Sequence, residues 1–513
     1  MLSKVYTGSL YGLESQVVTV ETDLTPGLPT LALVGLPDMT VRESKERIRS
    51  AILNSGEKFP QKRITINLSP ANARKEGSHF DLPMAMGILA ALESVKTDKL
   101  SQFALIGELS LDGEVNGVRG VLPLVMGLRD KGIQHIMVPV SNIEEAGLVR
   151  DVNLYPIGHL REAISYFKNK TKNTPYIRKK KILEDKSHFH GDFTDVAGQE
   201  SAKRCILIGA CGSHGLLMVG PAGAGKTMIS RLIPTILPHM TYEEQLEVTK
   251  IYSVAGALSQ ENPMILERPF RAPHHTITAA ALIGGGRRPK PGEVSLAHSG
   301  VLFLDELPEF KRQTIDLLRQ PIEDEKIVVN RVQGTTCFPC QIMVVAAMNP
   351  CPCGYYGDEI HECTCSQYEI NKYLGKISGP ILDRLDMHIQ IQPVKYEDLF
   401  HSLGNQRVGQ TSLQMREQVE QARAIQRQRY KKEGITYNGQ LTTPLIKKYC
   451  GLDKETNGLL EEAFSKLALS ARAYTKIIKL SRTIADMQGT EQIRLEHVAE
   501  AIQYRSLDRM NRG

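Results

Sequence analysis

A chain of 513 residues is too long for one ordinary hydrophobic core, so two to four domains are expected. With 41% hydrophobic and 23% charged residues it has the composition of a folded soluble protein, and a net charge of +6 permits a nucleic-acid partner without requiring one. The sequence has no apolar run of about 18 residues to cross a bilayer, and its opening residues, Met1-Leu2-Ser3-Lys4-Val5, lack a secretion signal's apolar region. A cytoplasmic protein without membrane contact is expected. Six of the nine cysteines fall between Cys337 and Cys365, which points to metal in a reducing compartment.

Residues 1–165 read as a separate α+β domain. Short apolar strands are expected at 17–20 and 30–34, joined by the turn Pro26-Gly27-Leu28-Pro29. A helix over 38–54 puts Val41, Ile48 and Ile52 on one face. A strand at 63–68, an apolar helix at 84–92 and strands at 104–107 and 136–138 follow, the alternation of a mixed sheet with helices. Two stretches, Asn67-Leu-Ser-Pro-Ala-Asn-Ala-Arg-Lys-Glu-Gly77 and Gly107-Glu-Leu-Ser-Leu-Asp-Gly-Glu-Val115, resemble the proteolytic domain of Lon-type proteases and the N-terminal domain of the magnesium-chelatase-like ComM/YifB family. The resemblance places the Lon serine at His79 and the Lon lysine near Leu122. Ser78 is one position off, and no lysine lies between Lys99 and Lys131. A nucleophile without its base is not activated, so the domain is expected to be an inactive scaffold.

Residues 166–190 are polar and basic, with the run Arg178-Lys-Lys-Lys181, and read as a linker. The run suits a solvated tether or an electrostatic contact with nucleic acid. Residues 191–395 form the nucleotide domain. The segment Phe193-Thr-Asp-Val-Ala-Gly-Gln199 resembles the entry segment of AAA+ ATPases, which packs near the adenine, and a helix over 200–212 follows. Leu216-Leu-Met-Val219 is a buried strand, and Gly220-Pro221-Ala222-Gly223-Ala224-Gly225-Lys226-Thr227 is the phosphate-binding P-loop in its strand–loop–helix setting. Glycines let backbone N–H groups turn onto phosphate oxygens at a helix N-terminus, where Met228 follows. Lys226 is suited to the β/γ-phosphates and Thr227 to Mg²⁺.

Gly300-Val-Leu-Phe-Leu-Asp305-Glu306 is an apolar strand ending in two carboxylates. Asp305 is suited to holding Mg²⁺ and Glu306 to acting as general base on the attacking water. Between the two motifs, Ala272-Pro-His-His275 and Gly284-Gly-Gly-Arg287-Arg288 make a glycine-rich, basic loop. A helix at 312–321 and a hairpin at 326–331 and 335–338 come next, the latter similar to the pre-sensor hairpin of magnesium chelatases and MCM helicases. A strand at 342–348 ends at Asn349, which the resemblance makes sensor 1. Cys351-Pro-Cys353, nine intervening residues and Cys363-Thr-Cys365 give four thiolates suited to tetrahedral Zn²⁺, with iron–sulfur ligation ranked lower. Cys337 and Cys340 are read as structural.

Ser378-Gly-Pro-Ile-Leu-Asp-Arg384 is similar to the family's arginine-finger segment, which reaches a neighbouring subunit's γ-phosphate. Residues 396–513 read as a helical connector and lid, with a long charged helix over 411–433 that suits a contact across subunits. Arg472 matches sensor 2, expected on the nucleotide of its own chain. From the P-loop onward the chain resembles AAA+ ATPases, and as a whole it is similar to the ComM/YifB family. That resemblance implies ATP and Mg²⁺ as cofactors, with zinc besides, and a homo-oligomeric ring, a hexamer. It also implies a motor on single-stranded or branched DNA, driving branch migration in recombination and natural transformation. A magnesium-chelatase motor subunit and an ATP-dependent protease are the competing classes.

Overall fold

The computed structural model describes residues 2–71, 74–171, 174–178, 191–259, 261–286, 289–331, 334–358, 361–393, 409–467 and 469–505. Its strands are β1 Leu2–Tyr11, β2 Glu14–Thr25, β3 Thr30–Val34, β4 Arg63–Ser69, β5 Phe103–Leu105, β6 Glu108–Leu109, β7 Val115–Asn116, β8 His135–Pro139 and β9 Asn153–Ile157 in the first domain. The nucleotide domain carries β10 Leu216–Val219, β11 Phe270–Arg271, β12 Gly284–Gly285, β13 Lys290–Pro291, β14 Val301–Leu304, β15 Lys326–Arg331, β16 Gly334–Pro339, β17 Met343–Met348 and β18 Met387–Gln390.

The first domain is a seven-stranded mixed sheet in the order β3-β4-β2-β1-β5-β8-β9. Strand β1 escapes a search for apolar alternation because Ser3, Thr7 and Ser9 lie among its buried positions. Buried Ser3 is satisfied by donating to the Gly87 carbonyl. Helix Met39–Asn54 begins as expected, with the Asp38 carboxylate accepting from the Val41 N–H at 2.8 Å. Helix Val121–Asp130, which sequence reasoning missed, contains Pro123 and Gly127; Pro123 sits in the first turn, where no N–H is needed, and the buried Val121, Leu122, Leu124, Val125 and Leu128 hold the helix on the sheet. The domain runs past the expected boundary at 165, since helix Leu160–Phe167 buries Phe167. Tyr176 then keeps the next segment on the domain by a backbone bond to Leu154. Lys179, Lys180 and Lys181, the core of the basic run, lie outside the described residues.

The nucleotide domain is a five-stranded parallel sheet, order β11-β14-β17-β10-β18, buried on both faces as parallel strands require. Helices Glu200–Gly212 and Lys226–Ile236 cover one face. The expected helix over 312–321 is two short ones, Arg312–Asp316 and Arg319–Asp324. A continuous helix would set the Pro321 ring against the Leu317 carbonyl; the break places Pro321 in a first turn, where no N–H is needed. Hairpin β15–β16 is rooted by buried Ile327 and Phe338, and its last pair sets Arg331 opposite Gly334. The β1–β2 turn leans on it: a Cβ on Gly12 would sit 2.3 Å from Thr336 Cγ2, so only glycine fits there.

Helix Ser412–Arg429 buries Met415, Val419, Ala422 and Gln426 within its own chain, against the P-loop helix and its neighbour, and keeps much of its Gln/Arg-rich face outward. Apolar side chains on one stripe take the nearest core available. Helices Thr443–Tyr449, Lys454–Lys466, Ala471–Met487 and Leu495–Gln503 complete this helical layer. Among the described residues no helix is long and apolar enough to cross a membrane.

The two domains share a continuous core. Helix Tyr242–Ala255 of the nucleotide domain lies on helix Val121–Asp130, and Tyr242, Leu246, Met264 and Leu266 join Leu122, Leu124 and Val125. At the centre sits buried Glu145, accepting from the Leu122 N–H at 3.0 Å, Asn142 at 3.1 Å and the Ser253 hydroxyl at 2.5 Å. Glu145→Ala strands these donors in a buried interface and is expected to lower unfolding free energy by about 2–4 kcal/mol. Ser253→Ala, which leaves the other two bonds, should cost about 1 kcal/mol. Urea denaturation of the two variants checks the ranking.

Candidate active site and metal centre

The P-loop leaves the end of β10 between β17 and β18. Gly220 donates its N–H to the Met348 carbonyl at 3.2 Å, and a Cβ there would lie 2.4 Å from the Ile391 carbonyl oxygen. The first glycine is thus demanded by strand packing, whereas Gly223 and Gly225 serve left-handed backbone at φ 79° and 85°. Pro221, Ala222 and Ala224 fill the turn between them, and helix Lys226–Ile236 starts at its end with Met228 half exposed. Lys226 points into this loop. Its ammonium donates to the Gly220 carbonyl at 2.6 Å, the Pro221 carbonyl at 2.8 Å and Asn349 Oδ1 at 3.0 Å. Burial pulls the Lys226 ammonium below its ordinary value, and the Asp305 and Glu306 carboxylates work against that pull.

Thr227 Oγ1 donates to Asp305 Oδ2 at 2.7 Å, so the hydroxyl and carboxylate suited to one magnesium ion stand side by side. Glu306 is the next residue, in left-handed backbone at φ 51° with its N–H on Asp305 Oδ1. That conformation, uncommon for a non-glycine residue, turns the carboxylate out of the sheet and leaves it exposed. His275 Nδ1 lies 3.3 Å from Glu306 Oε2. This contact is absent from the sequence reading, which took the Ala272-Pro-His-His275 stretch only as part of a basic loop; no spacing rule ties 275 to 306. The residues present fit a magnesium-bound nucleoside triphosphate. Residues 220–227 would hold the phosphates, and Thr227 with Asp305 the ion. A bound ion would neutralise charge on the phosphates; Glu306 is suited to act as base for water, and Asn349, on the Lys226 ammonium, to orient the groups around it.

Arg384 and Arg472 are elsewhere. Strand β18 runs parallel to β10, and Asp386 donates its N–H to the Gly215 carbonyl, at the start of β10. Gly215 and Gly220 are five residues apart, about 16 Å in a strand. Arg384 pairs with Glu323 at 2.7 Å and donates to the Arg319 and Pro380 carbonyls. Arg472 lies 3.7 Å from Asp383. One turn on, Lys476 contacts the Leu385 carbonyl and Asp386. The expectation that Arg472 serves its own chain's nucleotide is therefore corrected: the helix carrying it packs at the opposite end of the sheet, beside Arg384.

Four cysteines come together. The Sγ atoms of Cys351, Cys353, Cys363 and Cys365 all lie within 4.8 Å of one another, and three of the pairs are at 3.3, 3.6 and 3.7 Å. Tetrahedral zinc with Zn–S near 2.3 Å sets sulfurs about 3.8 Å apart, whereas a disulfide needs about 2 Å. The Tyr355 N–H pulls the Cys353 thiol down to about 5, whereas Cys363 and Cys365, although each accepts a backbone N–H, are pushed up by desolvation and by the neighbouring Cys353 and Cys351. Cys337 is exposed on the hairpin and Cys340 buried beneath it; neither joins the cluster. In the first domain His79 is buried on the Gly8 carbonyl, Leu122 is fully buried, and Ser78 donates to Glu108. Arg287 and Arg288 lie outside the described residues, as does the side chain of Arg331.

Glu306→Gln is expected to retain nucleotide binding and lose at least about 10²-fold in turnover, the usual worth of a general base, in a phosphate-release assay. His275→Ala frees the Glu306 carboxylate and should raise basal turnover several-fold; an unchanged rate would leave the contact without a catalytic role.

Models of the magnesium chelatase subunit ChlI match three stretches of the chain: residues 20–142, residues 192–399, and, for its C-terminal part, residues 409–505. The chain is 42% identical to competence protein ComM of Haemophilus influenzae, over 99% of its own length and 98% of that protein's. It is 40% identical to YifB of Escherichia coli over the same shares of both chains. A shorter match, 27% identical over 146 residues, covers 27% of this chain and 26% of Lon protease 2 of Bacillus subtilis. The chain belongs to the ComM/YifB family of magnesium-chelatase-like AAA+ proteins, with a Lon-like N-terminal domain.

Proposed function

We propose that this protein is an ATP-hydrolysing hexameric ring motor that acts on single-stranded or branched DNA in the cytoplasm, as a helicase driving branch migration. The observation that carries the reading is the separation of the two halves of the ATP site. Residues 220–227, Asp305, Glu306 and Asn349 gather at one end of the parallel sheet, and Arg384 and Arg472 at the other. Arginines too distant for their own chain's phosphates suit the phosphates of a neighbour, and closing such head-to-tail contacts gives a ring. Arg384 and Arg472 then stabilise transition-state charge in trans. Basic positions Arg287, Arg288 and Arg331 supply sequence-independent phosphate contacts of the kind a translocating motor uses. The name of the Haemophilus relative, a competence protein, agrees with a place in natural transformation.

The four-cysteine cluster holds zinc, and the first domain is a scaffold of residues 1–167 with His79 and Leu122 where a Lon protease has its serine and lysine. A chelatase motor subunit is the second reading, favoured by the ChlI family models and by the 22% identical ChlI of Euglena gracilis, which aligns with 40% of this chain. ATPase rates with no DNA and with single-stranded, duplex and branched DNA decide between them. DNA stimulation supports the motor, and a rate indifferent to DNA at low salt favours the chelatase class. Arg384→Ala should abolish hydrolysis while binding nucleotide, and mixing it with Lys226→Ala chains should restore activity at shared interfaces. Arg287→Ala with Arg288→Ala should spare basal turnover and remove its DNA stimulation.

A further inference from the structure

The cysteine cluster is built into the wall of the ATP site. Strand β17 delivers Met348 to the P-loop, where its carbonyl accepts the Gly220 N–H, and Asn349 to the Lys226 ammonium. Cys351 follows two residues later. The loop it opens turns back on the P-loop: the Cβ position of Gly354, at φ 89°, is 3.8 Å from the Ala222 nitrogen. Inside the loop the Tyr356 N–H donates to Cys351 Sγ and the Cys353 N–H to Cys365 Sγ. Directly after Cys365, Ser366 caps helix Gln367–Leu374. That helix returns to the site: burial pushes the Tyr373 hydroxyl up to about 12 and the nearby Asn349 backbone N–H pulls against it, so Tyr373 stands beside Asn349. Both ends of the cysteine loop thus lead to Asn349, one through the chain and one through Tyr373 beside it, while its middle rests on the phosphate loop.

We infer that metal in this cluster braces the phosphate end of the ATP site, so that zinc occupancy sets nucleotide affinity and turnover by fixing Asn349 and the P-loop. The inference rests on the zinc and ATPase readings above. A tetrahedral ion closes the chain from Cys351 to Cys365 into a rigid knuckle. Without it, four thiols leave the knuckle free to lift from Ala222, and the partner of Lys226 loses its anchor. Tyr373 acts as a positioning residue through Asn349 and touches no substrate itself.

The test uses the full chain purified under reducing conditions. Zinc per chain is measured, the metal is stripped with a chelator that is then removed, and binding of a fluorescent non-hydrolysable ATP analogue is titrated in excess Mg²⁺ before and after zinc is returned. The expected result is about one zinc per chain, a nucleotide Kd at least tenfold higher once it is removed, and recovery on re-addition. Tyr373→Phe provides an arm that keeps all four thiols. It should retain zinc and a Kd within twofold of the parent while kcat falls several-fold. An unchanged Kd in metal-free protein, or an unchanged kcat in Tyr373→Phe, overturns the brace. Absence of metal in fresh, reduced protein overturns the zinc reading and the brace with it, and leaves the ATPase reading to stand or fall with Glu306→Gln.

Discussion

The pairing of β10 between β17 and β18 is the constraint from which the rest of the site follows. Parallel registers, Val219 beside Met348 on one side and Leu216 beside Met387 on the other, bring the P-loop next to Asn349 at one end of the sheet. The same registers set Gly215 next to Asp386 at the other. A strand cannot be slipped by one residue without turning its buried side chains to the wrong face. Separation of the P-loop from Arg384 and Arg472 is therefore built into the sheet and needs no special device.

The arginine end is held by charge rather than by apolar contact alone. Burial pushes the Asp386 carboxyl up, yet Lys476 at 2.9 Å and His214 at 3.0 Å hold it well below the ordinary carboxylate range. His214 also bonds Thr483 on helix Ala471–Met487. One carboxylate thus ties β18, the start of β10 and the helix that carries Arg472. A second buried carboxylate, Asp486, meets Arg482, Arg429 and Asn438 within the helical layer. Removing one partner from such a network leaves a buried charge unpaired, which costs more than the net worth of the pair. The first network fixes the arginine end, and the second ties the far end of the same helix to the rest of the helical layer.

The first domain is joined to the motor domain through the element that follows the P-loop helix. Helix Lys226–Ile236 leads in the chain to helix Tyr242–Ala255, whose face is shared with the Lon-like domain around Glu145. The contact of Gly12 with Thr336 gives the first domain a second seat, on hairpin β15–β16.

Local chemistry was legible in the sequence wherever a function requires residues close together in the chain. Residues 220–227 must be contiguous to wrap a phosphate, Asp305 and Glu306 must end one strand, and paired cysteines must be near neighbours to share an ion; each could be read off as a string. Domain class was legible for the same reason, through apolar strands alternating with helices. Strand β1 was hidden because polar Ser3, Thr7 and Ser9 face its core, and helix Val121–Asp130 because Pro123 and Gly127 read as breakers although Pro123 lies in the first turn, where no N–H is needed. What only the tertiary structure decided are relations between distant residues. These are His275 against Glu306, Tyr373 under Asn349, Gly354 on the P-loop, and Arg472 beside Asp383 rather than beside the phosphates. Such pairs are set by strand order and helix docking, which depend on the whole core at once, and no local spacing in the chain encodes them.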